Sequence, residues 1–227
     1  MPIQCIVFDL DDTLWECESL IRNAEKATYN WLSTHYPRIT ERYTLADLIQ
    51  HRINFISQYP DLHYNLTVLR KRWLAHLADE CGYSRALVAP TFMVFWLVRH
   101  QVQWFEGVLS TLERLAQDYQ LGVISNGNAD IHHLGIGELF SFVHSASSVG
   151  VAKPHPAIFQ QALKSSQLPA HQVVYVGDDL KNDIAGAQAV GMRAIWLQHP
   201  HQTSQATIQP DITIRHFAEL VSALKTL

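Results

Sequence analysis

Beyond Gly107 the sequence alternates short apolar, β-branched runs with segments of helical periodicity. The runs lie at Gly122–Ile124, Val173–Val176 and Ala194–Leu197. Apolar residues between these runs recur every three or four positions, as a buried helix face requires. Strands that alternate with helices in this way pair in parallel and are covered by helices on both faces. We therefore expect an α/β fold built on a parallel sheet.

A further strand-like run, Ile3–Phe8, stands far ahead of the others in the chain. Between about Glu16 and Trp104 no convincing strand occurs, and apolar residues fall at helical spacing instead. A helical insertion directly after the first strand predicts a small lid or cap; the alternative is a bundle that only stabilises the core. We predict a core over residues 1–15 and 105–227 and a helical cap over residues 16–104.

Composition excludes several classes of partner. The 227 residues carry 17 Lys and Arg against 21 Asp and Glu, a net charge of −4, so no broad basic field is available for nucleic acid or an anionic membrane. The amino terminus lacks the pattern of a signal peptide, and no apolar run is long enough to span a bilayer. The three cysteines show no CxxC spacing, which favours free thiols in a reducing compartment. We expect a cytoplasmic monomer or homodimer.

Two features of the insertion have two interpretations each. The aromatic residues of the insertion, such as Trp73, are interpreted as core, with stacking on an aromatic substrate as the alternative. The run Arg70–Lys71–Arg72 is interpreted as a solvated helix face, with contact to a distal charge of a substrate as the alternative. Residues 198–210, rich in polar side chains and proline, predict a surface loop before a last helix.

Polar side chains follow the predicted strands at the point where each strand ends. They are Asp9 and Asp11 after the first strand, Ser125, Asn126 and Gly127 after the second, and Asp178, Asp179 and, a turn later, Asp183 after the third. Lys153 stands before a predicted helix between the last two groups. Because the carboxyl ends of parallel strands share one edge of the sheet, these groups are expected to converge there.

That convergence points to phosphoryl chemistry. Several carboxylates share a small site only when a cation holds them, and Mg²⁺ takes oxygen ligands from carboxylates, phosphates and water. Asp9 and Asp11 point the same way along a strand, so one can act as nucleophile while the other trades protons with the leaving group. Ser125 and the amides after it can cradle phosphoryl oxygens, and Lys153 can neutralise their charge. Each residue alone is more often a cap or turn residue, but their joint occurrence favours an active site.

The residues also resemble a known family. DLDDTL at 9–14, SNG at 125–127, KP at 153–154 and GDDLKND at 177–183 resemble the four motifs of the haloacid dehalogenase superfamily. The insertion resembles the C1-type cap of its subfamily I. The resemblance implies a Rossmann-like, three-layer α/β core with a parallel sheet, and an inserted all-helical cap domain that closes over the active edge.

The resemblance assigns a role to each matching residue. Asp9 would attack the phosphoryl group to form an aspartyl-phosphate, and Asp11 would protonate the leaving oxygen and later take a proton from water. Thr13 would support the loop, Ser125 would bind a phosphoryl oxygen, and Lys153 would bridge Asp9 and the transferred group.

The same resemblance implies a magnesium site and further phosphate contacts. Mg²⁺ would be held by Asp9, the backbone carbonyl of Asp11, and Asp178. Asp179 and Asp183 would bind the metal through water or orient the loop. The amides of Asn126 and Gly127 would assist Ser125 on the phosphate.

The presence of Asp11, two residues after the nucleophile Asp9, favours a phosphatase over a dehalogenase. Dehalogenases of the superfamily lack an acid two residues after the nucleophile because a halide leaves without a proton, whereas an alkoxide needs one. Residues 123–197 further resemble bacterial phosphatases of the phosphorylated ribitylaminouracil intermediate and of FMN. The implied substrate is a small-molecule phosphoester, either from the flavin pathway or from a broad range. A sugar phosphomutase with the same nucleophile and a catalytically silent binding or regulatory protein are the alternatives.

Overall fold

The computed structural model describes residues 2–200, 202 and 207–227. The chain divides into two compact units, one formed by Met1–Glu16 with Gln103–Leu227 and the other by Cys17–Val102. Residues 201 and 203–206 of the predicted surface loop lie outside the described residues. The role of the second unit as a cap stays a prediction.

The first unit is built on a six-stranded, fully parallel sheet, which confirms the predicted fold class. Its strands are β1 (Cys5–Phe8), β2 (Gln120–Ser125), β3 (Phe142–Ser145), β4 (Val173–Gly177), β5 (Arg193–Leu197) and β6 (Ile212–Ile214). Their spatial order is β3-β2-β1-β4-β5-β6. In the register, Phe8 lies opposite Val123 of β2 and Val176 of β4, so three strands end side by side.

Helices surround the sheet and make up the second unit. Those of the second unit are α1 (Glu18–His35), α2 (Pro37–Arg42), α3 (Leu45–Ile56), α4 (Leu66–Glu80) and α5 (Val88–Arg99). Those of the first unit are α6 (Val108–Asp118), α7 (Ala146–Val149), α8 (Pro156–Ser166), α9 (Gly186–Gln188) and α10 (Leu220–Ala223). Short 3-10 turns lie at Pro60–Leu62, Arg85–Leu87, Gly137–Leu139, Ala170–Gln172, Phe217–Glu219 and Leu224–Thr226.

Local signals explain several helix boundaries. Thr44 and Asp47 form a reciprocal capping box that starts α3, since each side chain accepts from the other's backbone N–H. Pro156 occupies the first turn of α8, where its missing N–H costs nothing. Gly107 precedes α6 with a φ of 74°, a left-handed conformation that favours glycine.

The structure adds two strands that the sequence pattern did not predict. β3 and β6 are the edge strands of the sheet. β3 ends in the polar residues His144 and Ser145, and β6 has only three residues, so neither shows the apolar run of a central strand. The last helix, α10, has four residues, and 3-10 turns flank it on both sides.

The second unit has its own apolar core, formed by α1–α5. Trp73 and Phe55 belong to it, in accord with their interpretation as core residues. Among the described helices, none combines the length and the apolar character that a membrane crossing requires.

A buried ion cluster holds the second unit together. Glu25 of α1 lies 2.8 Å from Arg70 Nη2 and 3.0 Å from Arg52 Nη2. The Arg70 guanidinium also stacks 3.4 Å from the ring centroid of Phe95. Arg70 is only 7% exposed, so the interpretation of Arg70–Arg72 as a solvated face is wrong at its first residue. Burial lowers the pKa of Arg70, and the charge of Glu25 opposes that shift.

Glu25→Gln is expected to destabilise this unit strongly. The variant leaves two arginines, one of them buried, without their shared carboxylate, and removing one partner of a buried pair costs about 3 kcal/mol or more. Chemical denaturation would measure the change in the free energy of unfolding. Glu18→Gln in the same helix is the control, because Glu18 pairs with Arg22 on an exposed surface. Equal effects of the two variants would contradict a structural role for the buried cluster.

Candidate active site

The chain makes a sharp turn immediately after β1. The backbone N–H of Asp9 still donates to the Val176 carbonyl at 2.9 Å, which continues the sheet by one residue. Asp12 then takes a φ of 58°, a left-handed conformation that aspartate tolerates better than most residues. Its N–H donates to the Trp15 carbonyl at 2.8 Å, which closes the turn. The turn places both Asp9 and Asp11 in the wall of one cavity.

That cavity of about 200 Å³ lies where β1, β2 and β4 end. It is lined by Asp9, Asp11, Asp12, Ser125, Asn126, Gly127, Lys153, Asp178, Asp179, Asn182 and Asp183. Every residue predicted for the site except Thr13 is in this wall. Thr13 is fully buried, and its hydroxyl lies 3.5 Å from Asp178 Oδ1, at the limit of a hydrogen bond.

Lys153 is the only cation among the described residues that line this cavity. Its ammonium lies 2.6 Å from Asp9 Oδ1 and 2.6 Å from Asp183 Oδ1, and it donates to the Tyr175 hydroxyl at 2.9 Å. Burial alone would lower the pKa of Lys153, but the charges of Asp183 and Asp9 outweigh it and raise that pKa above its ordinary value. The lysine therefore stays protonated and holds two carboxylates together.

Asp9 is a buried carboxyl in an acidic environment. Burial raises its pKa well above the ordinary value, the charge of Lys153 opposes the shift, and Asp183 and Asp178 add to it. The pKa of Asp178 rises to about 7, first by burial and then through the charges of Asp183 and Asp12. Such shifts disappear when a cation neutralises the group.

The carboxylates are spaced to share one cation. One oxygen each from Asp9, Asp178 and Asp183 lies within 4.8 Å of the others. An all-oxygen donor set of this kind suits a hard divalent cation such as Mg²⁺. The backbone carbonyl of Asp178 accepts from Trp196 Nε1 at 2.7 Å, which holds that aspartate against β5.

Both carboxylate oxygens of Asp183 accept hydrogen bonds from neighbouring groups. Its Oδ1 accepts from Lys153 and from the Tyr175 hydroxyl at 3.1 Å, and its Oδ2 accepts from the Asp179 N–H at 3.0 Å. A Cβ atom on Gly177 would overlap this Oδ2, so glycine is required at the end of β4. Both oxygens of Asp183 thus orient neighbours.

Asp179 shapes the loop after β4. Its Oδ1 accepts from the N–H groups of Lys181 and Asn182, both at 2.8 Å, and its Oδ2 accepts from the Asn182 side chain. The capped segment, Leu180–Ala185, is π-helical. Wider turns of this type are frequent at functional sites because they redirect side chains.

The turn after β2 connects the phosphate-binding candidates to the lysine. Ser125 Oγ accepts from the Gly127 N–H at 2.9 Å. The Asn126 side chain brackets the backbone of Lys153, accepting from its N–H at 2.7 Å and donating to its carbonyl at 3.1 Å. Asn126 therefore positions Lys153, a contact the sequence pattern did not reveal.

Two further residues of the site escaped the sequence pattern. Tyr175 reads as part of an apolar strand, yet its hydroxyl contacts both Lys153 and Asp183. Trp15 reads as one aromatic among many, yet its indole N–H donates to Asp11 Oδ1 at 2.9 Å. Side chains alternate between the two faces of a strand, so Tyr175 lies on the same face of β4 as Gly177. This alternation was the sequence signal that could have placed Tyr175 near the site.

The sequence is similar to known proteins along most of its length. The sequence model of the haloacid dehalogenase-like hydrolase family matches residues 3–191. The 5-amino-6-(5-phospho-D-ribitylamino)uracil phosphatase YigB of Escherichia coli (strain K12) is 27% identical over 98% of this chain and 96% of its own length. The glyceraldehyde 3-phosphate phosphatase of Pyrococcus abyssi is 31% identical over 87% of this chain and 82% of its own length.

A solved structure is similar along the whole chain. The crystal structure described as a 2-haloacid dehalogenase from Pseudomonas syringae pv. Tomato DC3000 superposes with a TM-score of 0.92 at 38% identity. The match covers 99% of both chains.

Proposed function

This chain belongs to the haloacid dehalogenase-like hydrolase family, and we propose that it hydrolyses small-molecule phosphomonoesters, with Mg²⁺, through an aspartyl-phosphate on Asp9. One observation carries the proposal: Asp9 lies 2.6 Å from the Lys153 ammonium in a cavity that Asp11 also lines. A nucleophile, a proton donor and a charge neutraliser thus share one small site.

In the first step, an Asp9 carboxylate oxygen forms a bond to phosphorus and the bond from phosphorus to the leaving oxygen breaks. Asp11 gives its proton to that oxygen, which leaves as an alcohol. Lys153 holds Asp9 and neutralises charge on the phosphoryl group. Ser125 and the Asn126 amide bind the phosphoryl oxygens, and the Gly127 N–H orients the Ser125 hydroxyl by donating to its oxygen.

In the second step, the Asp11 carboxylate takes a proton from water as the water oxygen attacks phosphorus. The bond between phosphorus and Asp9 breaks, which releases inorganic phosphate and restores the Asp9 carboxylate. Asp183 takes no part in bond making; it holds Lys153 and the loop after β4 in place.

The residues present fit a magnesium ion. Asp9, the carbonyl of Asp11 and Asp178 would hold it, with Asp183 and Asp179 acting through water or through the loop. When bound, the ion screens the charge of the phosphoryl group and aligns it for in-line attack. The Thr13 hydroxyl contacts Asp178 Oδ1 at 3.5 Å.

Two relatives named phosphatases act, by their names, on different small phosphate esters. We therefore propose the class of small-molecule phosphomonoesters, and ribitylaminouracil phosphate and FMN as the first compounds to assay. A panel of nucleotide, flavin and sugar phosphates with Mg²⁺ tests the proposal by phosphate release.

A cytoplasmic location, the absence of nucleic-acid and membrane partners, and a monomeric or dimeric state stay predictions.

Dehalogenation is the second candidate, favoured by the name of the 38% identical structure. Asp11 argues against dehalogenation, because a departing halide needs no proton, and this chain holds that carboxylate with a hydrogen bond from Trp15.

A phosphomutase would use the same residues but exclude water from the intermediate. Isomerisation of a sugar phosphate without phosphate release would identify a mutase, and no turnover on the whole panel would identify a silent site.

Magnesium binding is expected to weaken at least about tenfold between pH 8 and pH 6. The pKa of Asp178 near 7 means that its carboxyl is mostly ionised at pH 8 and mostly protonated at pH 6, and only the ionised form binds the cation. The raised pKa of Asp9 acts in the same direction. Isothermal titration with Mg²⁺ at both pH values measures the ratio.

The matched variant for this titration is Asp178→Asn. It should bind Mg²⁺ more weakly and with a smaller dependence on pH, since the titrating ligand is gone. Without metal, the raised pKa values favour the folded state at acidic pH, so added Mg²⁺ should raise Tm more at pH 8 than at pH 6. Equal affinity of the wild type at both pH values would contradict the raised pKa of Asp178, and an unchanged affinity in Asp178→Asn would exclude this residue as a ligand.

A further inference from the structure

We propose that Trp15 is a positioning residue that decides which oxygen of Asp11 carries the transferred proton. The inference rests on the proposed function, in which Asp11 is the proton donor and acceptor. It concerns a contact between two side chains of the first unit, the indole of Trp15 and the carboxyl of Asp11.

Trp15 is held rigidly. It is fully buried, and its ring meets the ring of Trp104 edge to face, with 5.2 Å between centroids and 83° between planes. Its backbone bridges to both Asp11 and Trp104, and its carbonyl accepts from the Asp12 N–H at 2.8 Å. A side chain fixed at both backbone and ring presents its N–H in one direction only.

In the contact between Trp15 and Asp11, the indole can only donate the hydrogen bond. An indole nitrogen donates and never accepts, so the oxygen that faces it must be an acceptor in every protonation state of Asp11. That oxygen is Oδ1, 2.9 Å from Trp15 Nε1. The carbonyl oxygen of a protonated carboxyl group is a stronger acceptor than its hydroxyl oxygen, so the indole favours the proton of Asp11 on Oδ2. The indole also fixes the plane of the carboxyl group.

This asymmetry serves the proposed reaction. In the first step, Oδ2 gives its proton to the oxygen that leaves phosphorus; in the second step, Oδ2 takes a proton from the attacking water. The indole keeps its own hydrogen throughout. Holding the donor oxygen in one orientation removes the rotational freedom that would otherwise slow both transfers.

The dependence of rate on the leaving group tests this role. Trp15→Phe keeps an aromatic ring but removes the N–H donor. An alkyl phosphate needs full protonation of its leaving alkoxide, whereas p-nitrophenyl phosphate releases a stable phenolate and needs little. With Mg²⁺ present, the single-turnover rate of leaving-group release should fall about 10- to 100-fold for the alkyl phosphate and change by less than about threefold for p-nitrophenyl phosphate. Hydrolysis of the aspartyl-phosphate is common to both substrates and does not enter this rate.

Trp104→Phe is the matched control, because Trp104 belongs to the same ring pair but Trp15 supplies the bond to Asp11. It should affect the two substrates equally. Asp11→Asn should show the same selective loss as Trp15→Phe, and the double variant should lose little more than Asp11→Asn alone.

A spectroscopic measurement keeps the inference testable if Trp15→Phe fails to fold. In ¹H–¹⁵N spectra of the wild-type protein, the buried Trp15 indole N–H should move when Asp11→Asn is introduced, and the other indole signals should not. Equal losses on both substrates, additive losses in the double variant, or an unmoved indole signal would overturn the inference. If the wild type releases phosphate from neither substrate, the proposed function fails and the inference fails with it.

Discussion

Asp9→Asn is expected to reduce phosphate release by about 10⁴-fold or more, because an amide cannot replace the carboxylate as the attacking group. The substitution keeps the shape of the side chain, and Lys153 retains its 2.6 Å contact with Asp183. The fold should therefore persist. Rapid acid quench followed by mass spectrometry should find a phosphoryl group on the peptide that contains Asp9 in the wild type, and none in the variant.

The control for this experiment is Asp118→Asn. Asp118 is an exposed carboxylate at the end of α6 and does not line the cavity, so this variant should retain full activity. A variant Asp9→Asn that keeps substantial activity, or a phosphoryl group trapped elsewhere in the chain, would exclude Asp9 as the nucleophile.

Asp183→Asn is expected to lower the free energy of unfolding by about 3–5 kcal/mol and to reduce activity at least about 100-fold. An asparagine has one acceptor and one donor. If the asparagine NH₂ faces Lys153 and Tyr175, these two donors lose their acceptor. If the NH₂ faces Asp179 instead, the backbone N–H of Asp179 loses its acceptor. One side of the buried network is lost in either orientation, together with the charge that offsets Lys153.

Denaturation with urea measures the stability, and phosphate release measures the activity. Asp79→Asn is the matched control, because Asp79 pairs with Arg85 on the surface of the second unit and should be replaceable without a measurable change. If the two variants are equally stable, the buried network around Asp183 does not contribute in the way described.

The central strands were predictable from the sequence, and the edges were not. β1, β4 and most of β5 are buried on both faces, so their sequences are continuous apolar runs. β3 and β6 are short edge strands with mixed polarity, and their pairing depends on the sheet already being present. Local patterns therefore indicated the fold class but not the full width of the sheet.

The candidate site shows a similar division. Asp9, Asp11, Ser125 and Asp178 were predictable as neighbours because each follows a parallel strand, and parallel strands end at one edge. The contacts that organise them depend on tertiary structure. The alternation along β4 indicates the face on which Tyr175 lies, but it does not indicate that the hydroxyl reaches Lys153. No sequence pattern indicates that the Trp15 indole holds Asp11.

The second unit gives the clearest case of a wrong local interpretation. Arg70 stands in a run of three basic residues, which is typical of a solvated face. It is buried because Glu25, far away in the sequence on α1, supplies a carboxylate at 2.8 Å. Charge pairing between distant helices leaves no periodic signal, so only the folded structure reveals it.

One comparison tests the central claim most directly: phosphate release from small phosphomonoesters against halide release from 2-haloacids, on one preparation, with Mg²⁺ and after its removal by a chelator. We expect phosphate release that requires Mg²⁺, and no halide. Halide release without phosphate release would contradict the account, because it would mean that neither Asp11 as a proton donor nor a cation at Asp9 and Asp178 serves the reaction.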